Sequence, residues 1–374
     1  MDLRLLFFII VLSLGFLCSA AGDTPKVRKA YIWIMLTILT MESCLRGISV
    51  GSDTHKYREI FDFVDMMSWG DIWDSFVDRY FHRVGDADVG YTVLQKIVHI
   101  FTDDFQIFLF ICALFFFIPF GELLSRNARN LNELIFIFVF YVALFNPIAM
   151  SGTRKEIALG LSILACMRYN DKQYKKAIFW FVIGALNHMS ILAVLLYLVV
   201  VRLNPEKLKK LHLLSFLLIP VSVFSSGWLI SLMAETVEND HYALYANGES
   251  LGGGYTFVIA MELLLLLCYI AIKPRDMYQN IRIKNMYSML PMATFLVPLV
   301  MHNGSMVRLS QYFHIYILFL VPFAISRLFN SNSRTIRVVL SLVLIAWATS
   351  STSLLSNYYF FWNDPNPYWG IISF

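Results

Sequence analysis

Long uninterrupted apolar runs constrain the fold of this chain more than any other feature. Examples are the segments 105–120 (FQIFLFICALFFFIPF), 131–148 and 336–349, in which apolar residues fill the whole run instead of one helical stripe. Runs of about 18–20 apolar residues are candidates for transmembrane helices. Only 15% of the 374 residues are charged, against about a quarter in an average soluble protein, and the mean hydropathy is +0.63. These observations predict an all-α, polytopic integral membrane protein.

The apolar segments and the charges between them predict about 11–12 membrane segments. The basic loops 21–29, 122–130 and 168–176 alternate as cytoplasmic loops under the positive-inside rule. A cleaved signal peptide is the alternative for residues 1–20, but the lysines and arginine that follow it favour a first transmembrane helix. The candidate spans are 3–20, 30–45, 103–121, 131–150, 154–168, 176–202, 211–234, 255–273, 286–303, 309–328 and 336–354.

One of these segments cannot be an ordinary single span. If 176–202 were one helix, the basic loop 202–210 would lie outside and the acidic loop 235–254 inside, and both assignments oppose the positive-inside rule. A turn near residues 187–190 removes both conflicts, so a re-entrant or broken helix is predicted near 176–202. The segment 46–100 is then extracytoplasmic, with acids and aromatics at the spacing of amphipathic helices on the outer leaflet. We expect residues 1–374 to form a single transmembrane domain, with 46–100 and 235–254 as its extracytoplasmic parts.

Several function classes lack a sequence motif in this chain. It has no Walker A loop, no GxGxxG after a strand, no HExxH and no DxD, and its five cysteines lack metal-ligand spacing. The net charge of +4 lies in loops and does not point to nucleic acid. We therefore expect no nucleotide, no metal and no cofactor.

The topology collects three arginines from different segments at the outer face: Arg46, Arg154 and Arg308. Arginine keeps its charge and can donate two hydrogen bonds at once to phosphate oxygens, so a diphosphate group suits such a set. Snorkelling to the interface is the alternative for any single arginine. Glu42 and Arg46 are four residues apart and can pair on one helix face.

Three further groups can titrate. His188 and Asp53 are predicted on the same side as the arginines. Glu262 lies inside the apolar segment 255–273, where an unpaired carboxylate is costly, so we expect it to face the bundle interior. A buried arginine partner or protonation would satisfy Glu262 equally well.

Six short motifs follow one another along most of the chain. They are Arg46 with Gly51-Ser52-Asp53-Thr54 and Tyr57, Gly90-Tyr91, Arg154-Lys155 with Ala158, Asn187-His188-Met189-Ser190, Arg308-Leu309-Ser310-Gln311-Tyr312-Phe313, and Pro367-Tyr368. In this order they resemble the EpsG-like family of bacterial exopolysaccharide polymerases, which are Wzy-like. The chain departs from the family pattern at Lys155, where Gln is common, at Asp88-Val89 in place of Glu-Pro, and at Ile191 in place of Ala.

The resemblance implies a membrane glycosyltransferase with a GT-C-like fold in the bacterial inner membrane. Such a polymerase joins oligosaccharide repeat units carried on undecaprenyl diphosphate, at the extracytoplasmic face, to build exopolysaccharide, capsule or O-antigen. The sugar diphosphate supplies the bond energy, so neither nucleotide nor metal is needed. The implied partners are the lipid-linked donor and acceptor glycans, the bilayer and other polysaccharide-assembly proteins.

Within that frame each candidate residue has a predicted role. Arg154 and Arg308 clamp the diphosphate, and Arg46 either joins them or positions Asp53. His188 is the first choice for the general base, because an imidazole can accept a proton near neutral pH. Asp53 and Glu262 are the other candidates for the base. Tyr57, Tyr91 and Tyr312 are predicted to stack on sugar rings, and a membrane-interface belt is the alternative for Tyr91, Tyr312 and Tyr368.

Three alternatives remain open. A polysaccharide ligase or another transferase would use the same lipid carrier and would differ in its product. A transporter or flippase for lipid-linked sugars would need polar residues through both leaflets, whereas the conspicuous charges of this chain lie at one face. A structural subunit of a secretion complex would leave the arginine set without a role.

The predicted turn at 187–190 can be tested by topology mapping. A reporter fused after Pro205 should read as cytoplasmic, because the turn returns the chain to the basic side of the membrane. Reporters after Ala20 and within 235–254 provide cytoplasmic and extracytoplasmic references. An extracytoplasmic signal after Pro205 would contradict the turn.

Overall fold

In a computed structural model, the structure describes residues 3–82, 88–225, 227–228, 254–350 and 358–365. These residues form helices and no strand, so the all-α prediction is confirmed for this part of the chain. Two sequence predictions fall outside it. They concern residues 235–253 of the acidic loop and the Asn366-Pro367-Tyr368 motif.

The α-helices of the described residues follow one another along the chain, separated mostly by short turns. They are α1 Leu3–Ala20, α2 Pro25–Leu45, α3 Thr54–Met66, α4 Trp69–Val77, α5 Val89–His99, α6 Phe105–Asn127, α7 Leu131–Leu144, α8 Asn146–Ala149, α9 Thr153–Asn170, α10 Tyr174–Asn187, α11 Leu195–Val200, α12 Pro205–Leu217, α13 Ile219–Phe224, α14 Tyr255–Ala271, α15 Pro274–Gln279, α16 Ile281–Tyr287, α17 Leu290–Leu296, α18 Val307–His314, α19 Ile317–Phe329 and α20 Ser333–Ser350.

Within the described residues, three helical segments are long and apolar enough to cross a membrane: α1, α6 and the run Ile317–Ser350. Shorter apolar helices are Leu131–Leu144, Met189–Val200 and Tyr255–Ala271. The protein is therefore a helical membrane protein. The count of 11–12 segments and the sides of the loops stay predictions.

Proline explains why some predicted spans are divided. The predicted span 286–303 consists of the end of α16, then α17, then the 3₁₀ helix Val297–Met301. Pro291 and Pro298 lie in the first turns of the two later pieces. A proline lacks the N–H that a continuous helix needs in its interior, so each proline favours a new helix start.

The described chain divides into two compact units. The first comprises Met1–Met67, Gly90–Met189 and Phe329–Phe374, and the second comprises Ser68–Val89 and Ser190–Leu328. In the first unit α9 packs against α6 and α10, α2 packs against α6, and α7 packs against α1 and α20. In the second unit α12 and α18 pack on α17. His212 of α12 is fully buried there and hydrogen-bonds Tyr287 Oη at 2.8 Å and Thr294 Oγ1 at 2.9 Å.

The helix predicted to break near 187–190 is interrupted at that place. α10 ends at Asn187, His188 adopts an extended backbone, and a 3₁₀ helix follows over Met189–Val194 before α11. The re-entrant course of the chain remains a prediction. The segment 46–100 contains α3, α4, a π-helix over Asp78–His82, and α5, so its helical content is confirmed while its place on the outer leaflet stays a prediction.

Glycine sets the distance between α6 and α9. A Cβ on Gly160 would overlap the carbonyl oxygen of Phe115 and lie 2.7 Å from Phe116 Cα. These obstacles are backbone atoms, so they cannot rotate away. Nearby, a cluster of buried residues forms the core of the first unit, and the interface between α6 and α9 contributes Phe108, Leu109, Ile157 and Leu161 to it.

Gly160→Ala should therefore destabilise the protein by about 1–3 kcal/mol, the usual cost of overpacking. The measurement is thermal unfolding of the purified protein in detergent. Gly70→Ala is the matched control, because its Cβ would meet nothing closer than 3.4 Å and alanine favours a helix. Equal unfolding temperatures for the two variants would contradict the close contact between α6 and α9.

Candidate functional site

The site is built around the end of α2 in the first unit. Arg46 is the residue that follows the helix, and it is only 2% exposed. Its Nη1 donates to Ser43 O at 2.5 Å and to Ser43 Oγ at 3.0 Å, and its Nη2 donates to Thr153 Oγ1 at 3.0 Å. Burial lowers the pKa of Arg46 from its ordinary value, yet a guanidinium stays protonated in proteins. A buried positive charge therefore lies at the junction of α2 and α9.

Glu42 does not pair with Arg46 as predicted. Its two carboxylate oxygens each accept a hydrogen bond from Asn146 Nδ2, both at 3.0 Å, and both residues are buried. Arg46 lies one residue beyond the end of the helix, and its guanidinium is turned to Ser43 and Thr153. The pairing rule for residues four apart assumes that both are helical, which Arg46 is not.

A second arginine lies against two buried tyrosines. Arg154 is the second residue of α9, and its Cζ is 5.5 Å from the centroid of the Tyr57 ring and 5.8 Å from that of Tyr91. The two rings are 5.8 Å apart, and each tyrosine is 2% exposed. Both distances from the guanidinium are within the range of cation–π attraction. Arg154 itself is half-buried.

The tyrosine rings fix the direction of this guanidinium. Burial raises the pKa of Tyr91 well above its ordinary value, so its phenol is neutral. The ring also packs edge-on against Phe108 of α6, with centroids 5.5 Å apart. Tyr57 and Tyr91 come from α3 and α5, so the 46–100 segment supplies one side of the arginine's surroundings and α9 supplies the arginine.

Glycine brings α10 to this cluster. A Cβ on Gly90 would lie 2.7 Å from the backbone carbonyl of Leu186, so the start of α5 and the end of α10 touch through Gly90. Tyr91 is the next residue along α5, and His188 is two residues beyond Leu186. His188 is half-buried, with its backbone N–H donating to Gly184 O at 2.9 Å. The first unit thus holds the predicted base near the end of α5 that carries Tyr91.

Asp53 lies at the start of α3, at the other end of the loop from Arg46. It occupies the N-cap position without a side-chain cap bond to the helix and is half-buried. Gly51, with φ +85°, lets the loop pass close to the backbone of Met150. This left-handed conformation favours glycine, because a side chain would be strained there.

Lys155 is the charged residue that departs from the family pattern, and Glu156 neutralises it. The two side chains form an ion pair, and the residues are only 1% and 7% exposed. The second carboxylate oxygen of Glu156 has no hydrogen-bond partner among the described residues. Lys155 therefore belongs to a buried pair, whereas the neighbouring Arg154 faces the tyrosines.

A small cavity lies beside this pair. The cavity has a volume of about 20 Å³, which is room for a single ordered water. Polar atoms on its wall come from Ser43, Arg46, Thr153 and Glu156. Among the described residues, Arg46 Nε and the second carboxylate oxygen of Glu156 have no hydrogen-bond partner.

Three sequence-predicted residues lie in the second unit. Arg308 is the second residue of α18, and Tyr312 of the same helix is buried, with its hydroxyl 3.1 Å from Ser190 Oγ. Glu262 of α14 has both carboxylate oxygens buried without a hydrogen-bond partner among the described residues, so a buried arginine partner for it is not present in that part of the chain. That Arg308, Tyr312 and Glu262 act together with Arg154 stays a prediction.

One group of side chains has donor atoms close enough to share a metal ion within the described ranges: Asp65, His99 and Asp103. His99 Nδ1 is 2.9 Å from Asp103 Oδ1, while His99 Nε2 is 2.8 Å from Phe61 O. Both aspartates are exposed. The hydrogen bonds of the His99 ring to Asp103 and Phe61 account for this arrangement, and we assign it no role in the site.

Sequence reasoning missed the partners of the polar groups in the first unit. Ser43 and Thr153 accept hydrogen bonds from Arg46. Asn146 donates to Glu42, Glu156 pairs with Lys155, and Asp364 accepts from Ser49. Of these residues, only Glu156 could have been found from the sequence, since an acid directly after an unexpected lysine in an apolar segment indicates a compensating pair.

The chain is a helical membrane protein with two buried or half-buried arginines, aromatic residues and titratable groups gathered in one unit. It matches the EpsG family model over residues 29–368, so it belongs to the EpsG family. This membership indicates a polymerase-like, glycosyltransferase role in polysaccharide biosynthesis. No curated protein and no solved structure matches the chain.

The ion pair between Lys155 and Glu156 predicts how substitutions of these residues change the stability of the folded protein. Lys155→Gln should destabilise the protein by about 3–5 kcal/mol, because it leaves Glu156 as a buried unpaired carboxylate. The double variant Lys155→Gln/Glu156→Gln should recover most of that loss. The measurement is thermal unfolding in detergent, and a double variant as unstable as the single one would contradict the pairing.

Proposed function

We propose that this protein is a polysaccharide polymerase that joins oligosaccharide repeat units carried on undecaprenyl diphosphate, at the extracytoplasmic face of the bacterial inner membrane. The observation that carries the proposal is the Arg154 guanidinium held against Tyr57 and Tyr91 in a chain of the EpsG family.

Arg154 is the residue that binds the diphosphate. It is half-buried, so it can reach a ligand while the tyrosines limit its orientations. A guanidinium can donate two parallel hydrogen bonds to phosphate oxygens. A preoriented cation stabilises the charge that develops on the leaving group in the transition state, and it needs no reorganisation during the reaction.

Arg46 supports the same electrostatic field from a deeper position. Its guanidinium is engaged by Ser43 and Thr153, and Thr153 immediately precedes Arg154 on α9. Arg46 therefore holds the start of α9 in place and adds a positive charge behind the arginine that contacts substrate.

The reaction exchanges one bond to the sugar for another. The bond between the anomeric carbon of the donor glycan and the diphosphate oxygen breaks, and undecaprenyl diphosphate leaves with the electron pair. The acceptor hydroxyl oxygen forms the new bond to the anomeric carbon, and its proton passes to a general base. His188 is our first candidate for that base, because the contact of Gly90 with Leu186 brings it near the end of α5 that carries Tyr91.

Asp53 is the second candidate for the base. It lies on the loop that starts at Arg46 and is half-buried. Tyr57 and Tyr91 are each 2% exposed, so the role that we propose for them here is to orient the Arg154 guanidinium, and stacking on a sugar ring stays a prediction from the sequence. No step requires nucleotide or metal.

Arg154→Ala tests the diphosphate clamp. The assay uses purified protein and a defined undecaprenyl-diphosphate oligosaccharide, without nucleotide or metal, and the wild-type product should be a ladder of repeat units. The variant should lose about 100- to 1000-fold in kcat, as other enzymes do when one charge-stabilising donor is removed. Arg154→Lys should recover only part of the rate, because an ammonium cannot donate two parallel hydrogen bonds to phosphate oxygens as a planar guanidinium does.

Arg58→Ala is the matched control, since Arg58 is likewise predicted on the extracytoplasmic side but forms an exposed pair with Asp62 at 2.9 Å. It should retain the wild-type rate, because exposed pairs contribute about 0–1 kcal/mol. Near-normal chain length in Arg154→Ala would overturn the clamp. A wild-type protein that attaches a finished polymer in one step would instead be a ligase, and one that moves the lipid between leaflets without forming a new sugar bond would be a transporter.

A further inference from the structure

The C-terminal segment Tyr358–Asp364, which we name the strap, lies on the end of α2. Tyr358 Oη donates to Glu42 O at 2.6 Å. Glu42 is among the last four residues of α2, whose carbonyls have no partner within the helix. The strap therefore satisfies one of the free carbonyls of this helix end.

The strap continues along the residues that follow the helix. Arg46 and Phe360 form an isolated antiparallel bridge, and the Gly47 N–H donates to Tyr359 O at 2.8 Å. The Arg46 carbonyl also accepts from Gln106 Nε2 at 3.4 Å. The backbone that carries the Arg46 side chain is thus held from two sides, by α6 and by the strap.

Asp364 closes the contact. Its Oδ2 accepts from the Ser49 N–H at 2.9 Å and its Oδ1 accepts from Ser49 Oγ at 2.7 Å. Asp364 is 9% exposed, although it lies 315 residues from Ser49 in the chain. Hydrogen bonds to a buried carboxylate are stronger than those between neutral groups.

Gly47 is shaped for this carboxylate. A Cβ on Gly47 would overlap Asp364 Oδ2 and lie 2.8 Å from Asp364 Cγ. The space that a side chain of residue 47 would need is therefore the space that the carboxylate occupies. The three atoms nearest to such a Cβ all belong to Asp364, so Asp364 is the residue that a side chain at position 47 would displace.

We propose that the strap positions the Arg46 loop for catalysis and that Asp364 is a positioning residue of the polymerase. The loop over residues 46–53 begins with Arg46 and ends with Asp53. The position of its backbone therefore determines the positions of the Arg46 guanidinium and the Asp53 carboxylate. The strap's bonds to Gly47 and Ser49 fix the first half of this loop. This inference rests on the proposed function, since it concerns the geometry of that site.

A double-mutant cycle between Gly47 and Asp364 tests the proposal in the full-length protein. Gly47→Ala and Asp364→Ala should each lower kcat for ladder formation by about 10- to 100-fold, the range expected for a displaced catalytic group. KM for the lipid-linked donor should change much less, because the displaced charge acts on the transition state. Rates are expressed per folded protein, with the folded fraction taken from size-exclusion chromatography.

The double variant separates positioning from general damage. Gly47→Ala/Asp364→Ala should be no slower than the slower single variant, because removal of the carboxylate also removes the two closest contacts of the new methyl group, those with Asp364 Oδ2 and Cγ, and leaves only Asp364 Cβ at 2.9 Å. Independent effects would multiply instead, and that result would overturn the proposal. Wild-type kcat in Asp364→Ala would overturn it as well.

Milder variants keep the test decisive if Gly47→Ala does not fold. Ser49→Ala removes one of the two bonds to Asp364 and Asp364→Asn retains one acceptor oxygen, so each should lose less kcat than Asp364→Ala. Equal losses of kcat in Ser49→Ala, Asp364→Asn and Asp364→Ala would overturn the positioning role. Gly70→Ala is the control with unchanged kcat, since its Cβ meets nothing closer than 3.4 Å.

The two proposals fail in different ways. A wild-type protein that forms no ladder overturns the proposed function and, with it, the strap's role in catalysis. A wild-type protein that forms a ladder, combined with a multiplicative cycle, overturns the strap alone.

Discussion

The burial of the Arg46 charge is the constraint on which the site depends. A guanidinium that is 2% exposed depends on protein acceptors for its hydrogen bonds, and Ser43 and Thr153 accept those of its two terminal nitrogens. Because Thr153 begins α9, satisfying this one charge fixes the end of α2 against the start of α9. Arg154 then follows at a defined position beside Tyr57 and Tyr91. The buried arginine thus sets the place of the half-buried one.

Glycine allows the helices to approach closely enough for this arrangement. Gly160 brings α9 to the backbone of α6, and Gly90 brings α5 to the end of α10. With little apolar driving force between helices in lipid, close packing through small residues is a main source of helix association in membranes. The two glycines therefore place the arginine, the tyrosines and His188 in one unit of the structure.

Several buried ionisable groups in this unit have a charged or hydrogen-bonding partner nearby. Lys155 pairs with Glu156, Glu42 is held by Asn146, and Asp364 is held by Ser49. Such groups are costly to bury unless each is paired or hydrogen-bonded. Both Glu156 and Arg46 line the small cavity of this unit. The pattern explains how a chain with only 15% charged residues can carry several of them inside.

The sequence by itself determined the all-α fold, the membrane class and the family, because apolar runs, helix periodicity and short motifs are local properties of the chain. It also indicated the interruption at His188, since the charges of the flanking loops conflicted with a single span. Only the tertiary structure decided that Arg46 turns to Thr153 instead of Glu42, and that Arg154 meets Tyr57 and Tyr91. It alone brought Asp364 to Ser49 across 315 residues. Contacts between distant segments depend on which helices pack together and at what distance, and no local pattern of residues records that choice.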